Sequence, residues 1–390
     1  MFLGGFFSRH HYIGEKLNRN LLALYVTRLS QSVTLDMMFL YGPIFLFVLY
    51  GNSLKIVLLY YTFSFLAYGL TLPLGAKIMS KVGMRTSMII ATLFLTLWMV
   101  GFYFFEADPK LFYFLTILSI TIFRSLFWVP YHTEIAEFTD RWNRGKEVAL
   151  LRAVMSVLRI GTPITAGFII IRFGYDAMFV VAAIIALLSI VPMIFMKEKK
   201  EEFTYGYFET FRKLFARSKK NLLFSHMALG AEGMFEVVVW PIFIFIILDA
   251  SILNVGAVSS LVVFALVIIQ LIMGSFSDKY SKTKLMRLGT IFLATGWIFR
   301  SLVQNAPQIF MAKTYYNFGT AIFQTPYIAL YYERAADNGH YVDEYTVLRE
   351  ISLNIGRVIV LLSIIVITHY FSISSAFFVA AISALLVGLF

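Results

Sequence analysis

The sequence predicts an all-α membrane protein of twelve transmembrane helices, arranged as two six-helix bundles related by a parallel repeat. Three observations predict it. The 390 residues are 59% hydrophobic and only 14% charged, against roughly 25% charged in a soluble protein; 40 Phe and 22 Tyr exceed what one soluble core could bury. Apolar segments of about 20 residues, the length that crosses a bilayer, recur along the whole chain. Finally, Pro241-Ile242-Phe243-Ile244-Phe245 echoes Pro43-Ile44-Phe45-Leu46-Phe47, 198 residues earlier.

In order, the expected spans are about 20–50, 56–79, 86–105, 110–132, 147–171, 176–196, 221–248, 252–273, 285–304, 307–332, 346–370 and 374–390. The last is short and runs to the end of the chain, as a truncated span would. Residues 1–19 carry Arg9, Lys16 and Arg19 around a short aromatic run. They lack the apolar core and cleavage site of a signal peptide and read as a cytoplasmic N-terminal segment. Residues 20–196 form the first bundle and 221–390 the second. Between them, 197–220 has eight Lys/Arg, four Glu and aromatic residues at helical spacing, the pattern of an amphipathic linker on the inner leaflet.

The loops test this topology. With the N-terminus cytoplasmic, the external loops hold just Lys55, Lys110 and Arg172, whereas most Lys/Arg outside the spans fall on the cytoplasmic side. That is the positive-inside bias. The net charge of +11 is therefore a topology signal with anionic inner-leaflet lipid as its partner, and nucleic acid is excluded. Absent cysteine removes disulfides and thiolate chemistry. No Gly-x4-Gly-Lys-Ser/Thr run occurs, no nucleophile–base or metal constellation stands out, and no cofactor is expected.

The halves match further. Phe127, Pro130, Tyr131 and Glu137 correspond to Phe323, Pro326, Tyr327 and Glu333 at offset 196. Six spans are an even number, so both copies share one orientation. Between the eighth and ninth spans, Gly274-Ser275-Phe276-Ser277-Asp278-Lys279-Tyr280-Ser281-Lys282 resembles the loop motif of the major facilitator superfamily, with Ser281 replacing its second Gly. The copy between the second and third spans, Ala76 to Arg85, keeps Lys77, Lys81, Gly83 and Arg85 but has Ser80 where the acid belongs. The resemblance covers nearly the whole chain. It implies a secondary transporter that works by alternating access around a midplane site lined by spans 1, 4, 7 and 10. Thr162-Pro163-Ile164-Thr165-Ala166-Gly167 is faintly similar to the Gly-Pro pattern of the antiporter branch.

Charges inside the spans define the candidate site. Near mid-depth lie Asp36, Arg124, Arg159, Glu232, Glu236 and Arg357. Each would cost about 2.5–3.5 kcal/mol at the centre of an isolated helix, so they must face one another or a wet hollow between the bundles. Arg152, Ser156 and Arg159 share one helical face, and offset 198 carries them onto Glu350, Asn354 and Arg357. Arg159 and Arg357 are thereby expected as a pseudo-twofold pair gripping an anionic or zwitterionic solute. Each Arg tied to a carboxylate of its own half is the structural alternative. Arg124, Asn354, Asn317 and Gln324 complete the expected substrate set, with Lys313 and its neighbouring tyrosines as weaker candidates.

Glu232 and Glu236, four apart on one helical face, are the leading proton-coupling residues, followed by Asp36; ion pairing to Arg124 or Arg159 is their structural alternative. Apart from Asp176 and Arg287 at the very starts of spans 6 and 9, spans 3, 6 and 12 carry no charge and span 9 has only Arg300 near its outer end, so these four read as lipid-facing supports. For gating, the resemblance casts Asp278, with Lys279 beside it, as a brace to Arg152. In the other half the polarity inverts, Lys81 facing Glu350. The expected protein is thus a monomeric, multi-pass, proton-coupled carrier of a small solute in the plasma (bacterial inner) membrane. An exporter of amphipathic or cationic compounds is the nearest rival, and a non-transporting membrane sensor or scaffold the third.

Overall fold

A computed structural model describes residues 19–138, 156–157, 159–217, 220–273, 281–336 and 342–388; among them every regular element is helical. The first four helices, α1 (Arg19–Leu49), α2 (Leu54–Val82), α3 (Met84–Tyr103) and α4 (Pro109–Phe138), follow the expected spans to within a turn or two. α5 (Thr162–Leu188) is broken at Gly174, whose φ of 86° lies in the left-handed region. That break divides two spans, the second extended by α6 (Ile190–Ile194). The linker forms α7 (Tyr207–Leu214). The second half contains α8 (Lys220–Met234), a π-helical turn at Phe235–Val239, α9 (Trp240–Ile247), α10 (Ile252–Met273), α11 (Lys282–Ser301), α12 (Ala306–Ala336) and α13 (Val342–Tyr370). A 3-10 turn at Ile373–Ala376 leads into α14 (Phe377–Val387).

Eight runs among the described residues have the length and apolarity to cross a membrane. α11 and α12 are long enough but more polar: the first carries Lys282, Lys284, Arg287 and Arg300, the second Lys313 with several tyrosines and amides. α14 is short. On α2, Leu66, Leu70, Leu74 and Ile78 recur every four residues and are all exposed, which marks its lipid side.

The repeat is visible in packing. Phe45 meets Phe179 edge-on at 5.0 Å, and 198 residues later Phe243 meets Phe377 edge-on at 4.9 Å. Prolines tell the halves apart. Pro43 sits within an unbroken α1, but its counterpart Pro241 follows the π turn. A proline withholds an N–H and crowds the turn before it. In α8–α9 the strain is taken up as a wider turn, the turn that carries Glu236.

Close approach of helices uses small residues, as expected where lipid gives no hydrophobic drive between them. A Cβ on Gly256 would lie 2.7 Å from the Tyr41 hydroxyl and 2.8 Å from the Pro163 carbonyl. Tyr41 donates to that same carbonyl at 2.7 Å, so α1, α5 and α10 meet at one point.

Candidate functional site

The densest charge lies in the second half. Glu236 accepts from Arg300 Nη1 of α11 and from Lys313 Nζ of α12, the latter at 2.5 Å. One turn earlier, Glu232 Oε1 accepts from Trp297 Nε1 at 2.8 Å and from the Tyr316 hydroxyl at 2.5 Å. Arg300 is fully buried, its guanidinium 3.8 Å from the Trp240 ring centroid, 3.9 Å from Trp297 and 4.7 Å from Tyr316. The expectation of Arg300 on a lipid-facing support is thereby corrected: α11 turns this face inward, because a cation in hydrocarbon needs its carboxylate and its rings. Two carboxylates and two cations leave this cluster neutral. The partners of Glu236 are Arg300 and Lys313, not Arg124 or Arg159.

The first half arranges its charge otherwise. Asp36 on α1 takes Arg159 in a two-point grip through Nε and Nη2, the second at 2.8 Å. The Arg159 side chain is 41% exposed and Asp36 15%. Arg28, two turns before Asp36, lies 4.9 Å over the Trp128 ring and 5.9 Å over Tyr131.

A third group joins the halves. Arg124 donates to the Ser64 hydroxyl at 2.8 Å and lies 4.4 Å from the Phe65 ring centroid, while Arg357 lies 4.9 Å from the same ring. Arg357 donates to Asn354 Oδ1 at 2.8 Å and comes within 4.0 Å of Glu350. Glu350 also receives Arg349 at 2.6 Å and the Tyr68 hydroxyl at 3.2 Å. The neighbour of Arg357 across Phe65 is therefore Arg124, and Arg159 is not its mate, because Asp36 holds it. Each of Arg159 and Arg357 leans on a carboxylate of its own half. Asn317 is buried and Gln324 half-buried on α12.

The gate residues Asp278, Lys279 and Arg152 lie outside the described residues. The expected facing of Lys81 and Glu350 is corrected: Lys81 is exposed, and Glu350 is already engaged by Tyr68 and Arg349. Where the loop motif lacks its acid, the linker supplies one. Glu198 accepts from the backbone N–H of Arg85 at 3.0 Å, the N–H of Thr86 at 3.2 Å and the Thr86 hydroxyl at 2.5 Å, capping the start of α3. Gly83, at φ 95°, makes room for it; a Cβ there would fall 2.3 Å from Glu198 Oε1. The strand of linker continues: Phe203 N–H donates to the Ser80 hydroxyl at 2.8 Å, and Thr204 donates N–H and hydroxyl to Glu344 of α13 at 3.0 and 2.7 Å. This strap reaches from α2 and α3 to the second half.

A cavity of about 690 Å³ opens at the end of the molecule opposite the linker. Phe47, Asn52 and Lys55 line it from the first half, and Ile242, Ile365 and His369 from the second. It lies between the halves, but none of the expected site residues lines it, so the charged groups are not at this opening.

Sequence reasoning missed the roles of Arg300, Trp297, Glu198 and Thr204, and held Tyr316 only as a weaker candidate. For Arg300 a signal existed. Offset 198 sets Arg300 against Phe102 and Glu236 against Met38, a paired change of apolar to opposite charges.

A family model described as Major Facilitator Superfamily matches residues 27–231 and 222–390. A "Multi-drug resistance efflux pump PmrA homolog" from Lactococcus lactis subsp. lactis is 24% identical over 269 residues, 65% of this chain and 64% of that protein. The match thus spans just under two thirds of the relative's length. Among solved structures, a D-xylose-proton symporter has a TM-score of 0.69 at 13% identity, covering 95% of this chain and 96% of its own. A POT family transporter in complex with 5-aminolevulinic acid scores 0.69 at 11% identity, with 95% of each chain covered. At such identities these two show the fold alone.

Proposed function

This chain belongs to the Major Facilitator Superfamily and is a transporter rather than an enzyme, and on that premise we propose that it moves a small organic anion or zwitterion by proton-coupled alternating access. The protein acts as a monomer in the plasma (bacterial inner) membrane, with its N-terminus cytoplasmic. One observation carries the substrate class: cation is in surplus in the first half. Arg124 has no carboxylate partner among the described residues, and Asp36, which pairs with Arg159 and acts on Arg28 at longer range, is one acid against two cations. A carboxylate or phosphate entering between the halves would supply the missing charge and accept forked hydrogen bonds.

The proton belongs on Glu232. Protonating Glu236 would strand Arg300 and Lys313, two buried cations, whereas Glu232 is held by neutral donors alone. A proton on Glu232 costs no ion pair, and it changes what Tyr316 and Trp297 face. These link α11 and α12 to α8, so proton binding reaches three helices at once. Glu232→Gln keeps the shape of the side chain and removes its charge. In proteoliposomes the variant is expected to lose uptake driven by a pH gradient yet retain solute counterflow. Gradient-driven uptake at the wild-type rate would sink this assignment. The substrate class fails if Arg28→Ala and Arg124→Ala proteins fold and transport fully.

A second reading has its own support. The 24% identity to a multidrug efflux relative and the membrane acids Asp36, Glu232 and Glu236 favour export of amphipathic or cationic compounds. Resistance to lipophilic cations on expression, lost in Glu232→Gln, would select export; thermal stabilisation by carboxylates and not by such cations would select the anion.

A further inference from the structure

Three buried acids lie beside the linker strap and have no part in the transport reading. In the first half, Glu134 of α4 is fully buried, and neither of its carboxyl oxygens has a hydrogen-bond partner. The charges acting on it belong to the strap: Lys199, then Glu198 and Glu201. Lys199 lies 3.9 Å from Glu201, and Glu198 is engaged by Arg85 and the start of α3. In the second half, Asp343 and Glu344 open α13 and are 3% and 1% exposed. Their carboxyls are hydrogen-bonded to each other, and Glu344 also accepts the N–H and hydroxyl of Thr204 from the strap. Among the described residues no Lys, Arg or His forms an ion pair with Glu134, Asp343 or Glu344. Titratable groups of the surrounding helices are committed elsewhere. Tyr331 of α12 shares a hydrogen bond with Thr346, Arg349 holds Glu350, and His132 of α4 lies edge-on to the Tyr331 ring.

A buried carboxylate with neither cation nor donor is costly, whereas its protonated form is neutral. Glu134 is accordingly a carboxylic acid. Two carboxyls hydrogen-bond to each other only through a proton, since an ionised carboxylate accepts and does not donate. Thr204 donates to Glu344, which leaves Asp343 as the holder of that proton. We propose that the strap 198–204 is a proton-operated latch, seated across the two halves while Glu134 and the Asp343–Glu344 pair hold their protons and released when they lose them to water. Ionised Glu134 repels Glu198 and Glu201 and draws Lys199 away from Glu201. An ionised Asp343–Glu344 pair sets two carboxylates against each other, and hydrating them requires Thr204 to move away. The seated state binds more protons than the released one, so it is favoured in acid and lost as the pH on the linker side rises. The strap runs from Ser80 of α2 to Glu344 of α13, so its release loosens a contact between the halves without involving Glu232.

Backbone hydrogen exchange of peptides covering 198–205 tests this in the full-length protein in nanodiscs, each rate corrected for the intrinsic pH dependence of amide exchange. The expected result is protection in mildly acidic buffer that falls as the buffer is made alkaline. The open population should grow about tenfold per pH unit for each proton lost, with the α9 amides as an unchanging reference in the same molecule. Glu134→Gln combined with Asp343→Asn keeps both side chains neutral and is expected to hold the strap protected at every pH. Thr204→Val, which removes the hydroxyl donor, is expected to shift release to lower pH. Wild-type protection that does not change with pH overturns the proposal without any variant, as does a pH step that persists unaltered in the double variant. Glu232→Gln should leave the step in place; if it removes the step, the response belongs to Glu232 and the latch fails. Because exchange is read without solute, failure of the latch and failure of the transport reading are separate results.

Discussion

At one offset of 198 residues the two halves make opposite choices. In the first, Phe102 is fully buried against Phe45, Trp98, Phe105 and Phe179, and Met38 is buried as well. In the second, the same two positions are Arg300 and Glu236, bonded to each other within a box of Trp240, Trp297 and Tyr316. The aromatic frame around them is shared, down to the edge-on pairs Phe45–Phe179 and Phe243–Phe377. An apolar filling therefore suffices to pack this frame. A buried ion pair is often no more stabilising than apolar residues of similar volume, so packing does not explain the charges in the second half. The difference teaches that the packing frame does not itself require the charges that the second half holds at these two positions.

The comparison can be broken most forcefully at Glu236. Glu236→Ala strands two buried cations and is expected to cost about 3–5 kcal/mol, read as a large fall in the thermal midpoint of the purified protein. An unchanged midpoint would mean that Arg300 and Lys313 do not depend on it. The sharper variant grafts the first half onto the second: Glu236→Met, Arg300→Phe and Lys313→Leu, after Met38, Phe102 and Leu115. It is expected to be as stable as the wild type, or more so by about 1–4 kcal/mol, and inactive in proteoliposome uptake. Retained transport would demote the cluster to packing.

Asp36→Asn supplies the contrast. The Asp36–Arg159 pair is less enclosed than Glu236 with its two cations, at 41% exposure for Arg159 against 0% for Arg300, so its loss should cost less than that of Glu236 while uptake falls. A midpoint drop equal to that of Glu236→Ala would erase the distinction between the halves. Smallest is the acid response of the linker helix. The Gly206 N–H, and then Lys213, hold the Glu209 carboxyl below the usual carboxylate range. Its folded pKa lies below the unfolded one, so its contribution is present above the ordinary carboxylate range and lost as pH falls through the depressed value. Fluorescence of a label at Phe215→Cys should report loosening of α7 in acid, and Glu209→Gln should remove that step.

Much of this was legible in the sequence because lipid imposes simple rules. Span length, charge bias and the Pro-Ile-Phe echo locate α1 to α4 and α8 to α13 to within a turn or two, and a left-handed Gly174 falls where two spans were separated. That Glu232 and Glu236 must find polar partners was also readable, since two acids amid apolar residues have few explanations. Their partners were not. Arg300 sits near the end of its span, and hydropathy gives depth along a helix but not which way a side chain turns. The same limit applies to Arg159, whose symmetry mate is Arg357 by number although Asp36 claims it in space. The inverted gate failed for a different reason. Ser80 looked like a missing charge, but the replacement came from Glu198, more than a hundred residues away, and no local pattern announces a cap borrowed over that distance.

That borrowed cap bears on where the chain can be cut. The first N–H groups of α3 are satisfied by a side chain lying beyond the last helix of its own half. A polypeptide ending at Met196 would leave those amides bare, whereas one ending past Gly206 would carry its own plug. During synthesis the first half is thus complete only once the connecting segment has left the ribosome. Two-piece versions of this protein should be split beyond Gly206, never before Glu198.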